Sequence, residues 1–570
     1  MDTPAHGARR PYPATACRRP HPATARRRPH PGHDHRRHPD RHRRPAGGRL
    51  AVITVLTGLL AALAPGAPAG AAPVTATDRP PIAPLPEHLE QIRAAEAVEL
   101  YGSPEIRPLE QRLTSLVTMG DSEISGEGVG NYEPGTHGSD NWCDRSLDQA
   151  LFRTGIPADE RYNLACSGAE ARHLVYGSGA HQYDELNQGD YLAIKARNTR
   201  IKLLWVVVGA NGAGTIEFGP VATDCTIRRV FFLGPCYPTY SNQWAVRVDG
   251  SRQQVEQALA SIRQTMTDAG YAEEDYELVL MSYPSPFSPD VEDNPDFPGW
   301  YSGGCLVYLH DAAFARNKAV PMFETALRRA ALASGVRYLD ASRLFHGHEV
   351  CTDNTWARGL FIELGVWDEN AVRQSFHPNY RGHGAFAQCM TAFWNSGLST
   401  ATCVDPASTG SAVLIPGLLE FRQLRNLGTG GCVDGKGYNS RNGTVQQSYP
   451  CHGGRNQGFW YDPERRTLHS ELSHDRCLDV KGGVVAAGRT VQIYDCHGGP
   501  NQQWTFAGDR VKPYGRDDLC LGFNNPLLTR PSLHLFDCGS SARQRWVFEE
   551  RNVADPVGYH FDDFIGSRVY

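Results

Sequence analysis

Three cysteine-bounded units recur in the last third of this 570-residue chain. Cys432-Val433-Asp434 returns as Cys477-Leu478-Asp479 and again as Cys520-Leu521-Gly522, at intervals of 45 and 43 residues. Tyr449-Pro450-Cys451-His452 returns as Tyr494-Asp495-Cys496-His497 and as Phe536-Asp537-Cys538-Gly539. Asn456-Gln457, Asn501-Gln502 and Arg543-Gln544 complete the units. A period of this length marks a repeat architecture, in which no unit can bury its apolar face alone. The two cysteines of each unit lie 18 or 19 residues apart. One disulfide per unit follows: Cys432–Cys451, Cys477–Cys496 and Cys520–Cys538.

The repeat region, 419–549, resembles a ricin-B-type lectin β-trefoil. Gln502-Gln503-Trp504 and Gln544-Arg545-Trp546 match the Gln-x-Trp signature of that family, and the first unit has Gln457-Gly458-Phe459 with Trp460 one place late. The resemblance implies an all-β domain with a carbohydrate ligand. Sugar recognition needs a carboxylate and an amide for the hydroxyls and an aromatic face for the C–H side of the ring. Unit one offers Asp434, Tyr449, His452, Asn456 and Gln457. Unit two offers Asp479, Tyr494, His497, Asn501 and Gln502. Unit three has Gly522 for the Asp and Arg543 for the Asn, so units one and two are expected to bind and unit three to be structural. The alternative is that all three units only pack; the buried Trp and Gln are structural on either reading.

The rest of the chain is too long for one ordinary core, so a second domain is expected. Residues 1–49 hold 13 Arg, no Lys and 3 Asp, and 50–71 carry no charge. The whole chain is −5, which leaves −15 on residues 72–570. An acidic body is repelled by phosphate backbones, and nucleic acid is not expected as a partner. Leu50–Ala64 is an apolar run ended by Pro65 and followed by Ala69-Gly70-Ala71. A basic stretch, a short apolar run and small residues form a secretory-signal pattern, so 1–71 reads as a basic leader and signal of an extracellular protein. Of 15 cysteines, only Cys17 lies in this leader; the other 14 form an even set, as expected in an oxidising compartment.

Residues 72–112 read as an N-terminal extension, an arm or short helix. From 113 to 403, strand-like runs at Ser115–Met119, Tyr162–Ala165, Ile201–Gly209, Tyr276–Ser282 and Arg337–Leu339 alternate with amphipathic stretches such as Gln253–Ala269 and Asp311–Ser334. Leu203-Leu204-Trp205-Val206-Val207-Val208 is what a strand buried on both faces looks like. The alternation predicts a doubly wound α/β sheet. Pro321 is expected to break or kink the second stretch. Residues 404–418 read as a linker, and 550–570 as a tail.

The first run ends in Met119-Gly120-Asp121-Ser122, followed by Gly126-Glu127-Gly128. A serine there can be presented on a tight turn at the carboxyl edge of the sheet, where open α/β sheets place ligands. Three blocks follow in order: Ala165-Cys166-Ser167-Gly168, Gly209-Ala210-Asn211-Gly212 and Ser375-Phe376-His377-Pro378-Asn379. With these blocks, residues 113–400 resemble the SGNH (GDSL-type) hydrolases, in their actinobacterial secreted-esterase branch. The resemblance implies a flavodoxin-like parallel sheet, Ser122 as nucleophile and His377 as general base and then acid. It implies the Ser122 N–H, the Gly168 N–H and the Asn211 amide as oxyanion donors. Serine needs an imidazole to take its proton, and the tetrahedral intermediate needs neutral donors around its oxygen. His383 competes with His377 for the base. The family often has an Asp three residues before the histidine; here Gln374 stands there, and Gly212 replaces the Asp that often follows the Asn. A Ser122–His377 dyad with a neutral acceptor is therefore expected, the acceptor being Gln374 or a main-chain carbonyl; a carboxylate such as Asp368 or Glu369 on the ring would overturn it. The resemblance also suggests disulfides Cys143–Cys166, Cys225–Cys236 and Cys305–Cys351, and Cys389–Cys403 remains by elimination.

No metal or cofactor is expected. No Cys-x-x-Cys pair occurs, and the acidic segment Asp290–Asp296 lacks the glycine-spaced pattern of a calcium loop. The expected function is a secreted carboxyl-ester hydrolase of lipase or acyl-esterase type, a monomer, held on polysaccharide by its lectin domain. Its ester substrate is a lipid or an acylated glycan. Two alternatives stand beside it: an O-deacetylase acting on the bound glycan, and a lectin with an inactive hydrolase domain.

Overall fold

The computed structural model describes residues 79–288, 306–350, 352, 354–359, 373–463, 465–473, 476–524 and 530–550. The expected leader, the acidic segment 290–296, the Cys305–Cys351 pair, Asp368, Glu369 and the tail from 551 onward lie outside the described residues.

Seven strands form one sheet: β1 Thr114–Gly120, β2 Glu160–Asn163, β3 Arg200–Val207, β4 Glu277–Met281, β5 Arg337–Asp340, β6 Thr400–Val404 and β7 Val413–Pro416, in the order β2-β1-β3-β4-β5-β6-β7. Neighbours from β2 to β6 are parallel, and β7 runs antiparallel to β6. The order 2-1-3-4-5 is the flavodoxin-like, doubly wound arrangement. Central β3 is apolar on both faces because it is covered on both; Leu203 to Val207 are fully buried.

The helices are α1 Glu87–Tyr101, the single turn α2 Ser122–Ser125, α3 Gln188–Asn198, α4 Phe218–Val230, α5 Tyr237–Ser241, α6 Trp244–Asp268, α7 Leu309–Phe314, α8 Val320–Ala333 and α9 Tyr380–Ser396. Helix α1 forms within the N-terminal extension and locks to α3: Asn198 accepts from Arg93 Nη1 at 3.2 Å and donates to the Arg93 carbonyl at 2.9 Å. Pro321 does not end its helix. It sits in the first turn of α8, where its missing N–H costs nothing, after a π-helical turn at Ala315–Ala319 that absorbs the break from α7. The segment 404–418 is not merely a linker. Val413–Pro416 extends the sheet, pairing from Ala401↔Pro416 to Val404↔Val413. Its four residues Val-Leu-Ile-Pro are an edge strand whose brevity hid it among Ser, Thr and Gly neighbours.

Beyond it, twelve described strands, four to a unit, build the C-terminal β-trefoil from Arg422 to Glu550. Arg422–Asn426 pairs antiparallel with Trp546–Glu550, so the first and last strands close the domain. Buried Trp504 donates from its indole to the Leu478 carbonyl at 2.9 Å, and Trp546 repeats this with Leu521 at 2.9 Å. In unit one it is Phe459, fully buried, and not Trp460 that fills the equivalent place. Six of the seven expected disulfides join described residues: Cys143–Cys166, Cys225–Cys236, Cys389–Cys403 and one in each trefoil unit.

Polar contacts tie the trefoil to the α/β domain. Arg316 donates to Ser473 Oγ at 2.6 Å, Arg455 donates to the Asn317 carbonyl, and Arg343 donates to the Glu471 carbonyl at 3.0 Å.

Candidate active site and carbohydrate sites

Strand β1 delivers Ser122 through a turn that only glycine allows. Gly120 has φ +140°, and a Cβ there would lie 1.8 Å from the Val207 carbonyl oxygen on β3. Asp121 then caps α2, accepting from the Glu123 N–H at 3.2 Å, and Ser122 is the first helical residue. His377 arrives from the other end of the domain, and its Nε2 lies 2.7 Å from Ser122 Oγ.

The imidazole is held by its flanks. Phe376 adopts φ +69°, a left-handed conformation that is uncommon for a bulky residue. Its N–H donates to the Arg358 carbonyl at 2.7 Å, while the Arg358 N–H donates to the His377 carbonyl at 2.8 Å. Asn379 caps α9, its Oδ1 accepting from Arg381 and Gly382 N–H. No side chain among the described residues accepts from Nδ1, and the Gln374 amide is not bonded to the ring. Main-chain carbonyls of Ser375, Gln374 and Arg373 are the groups that favour the protonated ring. Burial outweighs them and lowers the His377 pKa to about 4. His383 is fully buried on α9 with Nδ1 accepting from the Ala150 N–H at 3.2 Å, so it is committed elsewhere.

Two of the three expected oxyanion donors are main-chain groups that nothing described uses. The N–H groups on either side of Gly168, those of Ser167 and Ala169, bond to Cys143 and Cys166 carbonyls at 3.0 Å each. Gly168 itself takes φ +74°, next to the Cys143–Cys166 disulfide. Asn211 donates to the Ala169 carbonyl at 3.3 Å, which sets its amide beside that turn and leaves its second N–H free to point elsewhere. Gly212 has φ +111°, a conformation that strains any residue with a side chain, and a Cβ there would also press on Glu170 Oε2 at 3.1 Å.

Ser122, Asn211 and His377 open on a cavity of about 130 Å³. Its walls include Ile216, Phe218, Tyr237, Trp244, Phe287 and Phe323. The lining is mainly apolar, with Asp121, Glu123 and Asp311 among its polar groups.

Three acidic groups at the site were not singled out from the sequence. Glu127 is 2% exposed; its Oε2 accepts from Ser167 Oγ and lies 3.8 Å from His377 Nε2. Burial raises its pKa to about 8. Asp121, raised to about 7 by burial, accepts from the Tyr283 hydroxyl at 2.5 Å. Burial also holds Glu123 well above the usual carboxylate range. The available signal was Gly126-Glu127-Gly128: a charged residue between two glycines that both take positive φ.

In the trefoil the expected sugar residues cluster twice. Asp434 Oδ2 accepts from Asn456 at 2.7 Å and Gln457 at 3.0 Å, with His452 Nε2 at 3.3 Å, and Oδ1 accepts from Gln447 at 3.1 Å. Asp479 repeats this with Asn501 at 2.6 Å, Gln502 at 3.1 Å and Gln492 at 3.1 Å, and His497 lies 3.7 Å away. Tyr449 is half-buried and Tyr494 exposed. Gln457 and Gln502 do not face a ligand. Both are fully buried, and each bridges the backbone, accepting from His452 or His497 N–H and donating to the Pro450 or Asp495 carbonyl. They brace the carboxylate from behind. Gln544 braces unit three the same way, but Gly522 supplies no carboxylate there.

Residues 420–546 match the ricin-type beta-trefoil lectin domain, so the chain carries such a domain behind its α/β domain. No curated protein matches the chain. Among solved structures, phospholipase A1 from Streptomyces albidoflavus is similar at 19% identity, over 49% of this chain and 99% of that one, with a TM-score of 0.33. An extracellular lipase from Streptomyces rimosus is similar at 19% identity, over 50% and 99%, with a TM-score of 0.31. The earthworm R-type lectin C-half, in complex with GalNAc, is similar at 17% identity, over 23% and 98%, with a TM-score of 0.20. No helix among the described residues is long and apolar enough to cross a membrane.

Proposed function

We propose that this chain is a secreted serine carboxyl-ester hydrolase for long-chain acyl esters, anchored to polysaccharide by trefoil units one and two. The observation that carries the reading is the 2.7 Å approach of His377 Nε2 to Ser122 Oγ at the mouth of an apolar cavity. Ser122 Oγ attacks the ester carbonyl carbon while Nε2 takes its proton. The carbonyl oxygen becomes an oxyanion facing the Ser122 N–H, the Gly168 N–H and the Asn211 amide. As the intermediate collapses, the imidazolium returns the proton to the leaving alcohol. Water then attacks the acyl-serine by the same route, and the fatty acid leaves. In place of a triad carboxylate the ring has, among the described residues, only the nearby main-chain groups of residues 373–375 to favour its protonation. Disulfide usage supports an extracellular setting.

The apolar walls favour a fatty acyl chain over the acetyl group of a glycan deacetylase, and the intact Ser122–His377 bond weighs against an inactive domain. The test is turnover of p-nitrophenyl esters of rising chain length, with acetylated xylan alongside and Ser122→Ala as control. Serine-dependent turnover that rises with chain length is expected. Acetate release from xylan in preference to long-chain turnover would establish the deacetylase, and no serine-dependent turnover would leave only the lectin.

A further inference from the structure

The Cys225–Cys236 disulfide closes a loop whose outer end is apolar and exposed. Phe231, Phe232 and Leu233 are consecutive and are 67%, 72% and 64% exposed, and Ile227, one turn back on α4, is 46% exposed. Exposed large apolar side chains in isolation are ordinary, but a contiguous group of this kind marks a surface that something covers.

The backbone holds these side chains outward. After α4 ends at Val230, the Leu233 N–H donates to the Arg228 carbonyl at 2.8 Å and the Phe232 N–H to the Arg229 carbonyl at 3.4 Å. This is the helix-ending turn that normally places glycine in the left-handed position. Here Phe232 occupies that position with φ +55°. A bulky residue in a glycine conformation is a local strain that fold stability does not ask for, and such departures concentrate at functional surfaces.

The two ends of the loop are anchored in the cavity wall. Phe218, Val221, Ala222 and Cys225 on α4, with Cys236, Tyr237 and Tyr240 after the loop, line the cavity that starts at Ser122. One helix thus faces the cavity with one side and carries the exposed tip at its end. Between the two cysteines the only charges are Arg228 and Arg229. Arg228 pairs with Asp224 at 2.9 Å, and the Arg229 guanidinium lies 5.6 Å from the Phe232 ring. Cations just behind an apolar tip suit lipid phosphate above acyl chains. The acidic remainder of the chain disfavours an anionic surface and leaves a zwitterionic one.

We propose that Phe231, Phe232 and Leu233 insert into a zwitterionic phospholipid surface and hold the cavity-bearing domain on the lipid layer that supplies the acyl ester. This rests on the ester-hydrolase reading for its substrate, but the docking is measurable without turnover.

The full-length protein and its Phe231→Ser/Phe232→Ser/Leu233→Ser variant are compared on phosphatidylcholine vesicles, which offer the trefoil no sugar. Co-sedimentation, fatty-acid release from the vesicles, turnover of soluble p-nitrophenyl acetate and elution volume are measured. Vesicle partitioning and vesicle hydrolysis are expected to fall about tenfold or more, with soluble turnover unchanged. Phe231→Ser alone, the milder variant, lowers both in the same direction with the turn and disulfide intact. Equal partitioning of wild type and both variants overturns the proposal. So does a soluble turnover that falls in step with vesicle hydrolysis, which would make the tip part of the cavity, or a wild-type dimer that the variant splits without loss of vesicle binding, which would make the occupant a second copy. Tip-dependent partitioning without any serine-dependent turnover supports the docking and removes the hydrolase reading instead.

Discussion

In the α/β domain the serine and the imidazole that meet are 255 residues apart. In the trefoil, Asp434 and its most distant amide partner are 23 residues apart, and Asp479 repeats the arrangement at the same distance. The two regions also differ in how their carboxylates are partnered. Each trefoil carboxylate accepts from three amides. Around Ser122, His377 is pushed down to about 4 and Glu127 up to about 8, both by burial. The trefoil carboxylates have neutral donors in place with no ligand present. A reactive site keeps groups whose ionised or bonded state is completed only during the reaction.

The sharpest way to break this contrast is to remove one group from each side. Ser122→Ala is expected to lower kcat by about 10⁴-fold or more, with binding to immobilised polysaccharide unchanged. Loss of both together would mean that the two regions are not separable. Asn211→Ala is expected to lower kcat by about 10²–10³-fold with little change in KM, because its amide meets charge that develops only in the transition state. A change confined to KM would remove Asn211 from the oxyanion role.

The imidazole's burial gives a pH signature. A base whose pKa is depressed stays neutral to lower pH, so kcat/KM is expected to fall only as pH drops through about 4. At pH 5 an ordinary histidine would already have lost about thirtyfold of its basic form. An acid limb near 6.5 in the free enzyme would contradict the dry environment assigned to His377. On the trefoil side, Asp434→Ala and Asp479→Ala are each expected to weaken glycan binding about tenfold, and together to abolish it. Arg543→Ala in unit three should leave it intact. Equal losses from all three units, read by titration calorimetry, would erase the distinction between binding and structural units.

What could be read from the sequence follows the same division. The trefoil repeats its chemistry at a fixed interval, so pattern alone marked Asp434, Asp479 and the absent third carboxylate at Gly522. The blocks around Ser122, Gly168, Asn211 and His377 were readable because their order along the chain resembles that of the SGNH hydrolases, which alone implies their roles. The rest depended on packing that no local pattern carries. Glu127 became important only when folding brought it to His377. Phe376 takes its unusual backbone angle where Arg358 pairs with the Phe376 N–H and the His377 carbonyl. Val413–Pro416 was too short to stand out as a strand. The cavity walls come from α4 to α8, helices whose inner faces look like ordinary core.

The smallest effect expected is also the one the molecule has partly tested itself. Unit one fills the central position with Phe459, whereas units two and three use Trp504 and Trp546, each donating to a strand carbonyl at 2.9 Å. Trp504→Phe removes that bond, leaves the Leu478 carbonyl without its indole partner and opens a small void. A cost of about 1–3 kcal/mol is expected, read as a fall of a few degrees in the trefoil's unfolding temperature. Ester turnover at room temperature should not change, since Trp504 is far along the chain from every group around Ser122 and touches none of them. An unchanged unfolding temperature would mean that the trefoil core accepts phenylalanine in unit two as readily as in unit one. The indole would then be a matter of volume, and the stability of the repeat would rest on its disulfides and its carboxylate–amide clusters alone.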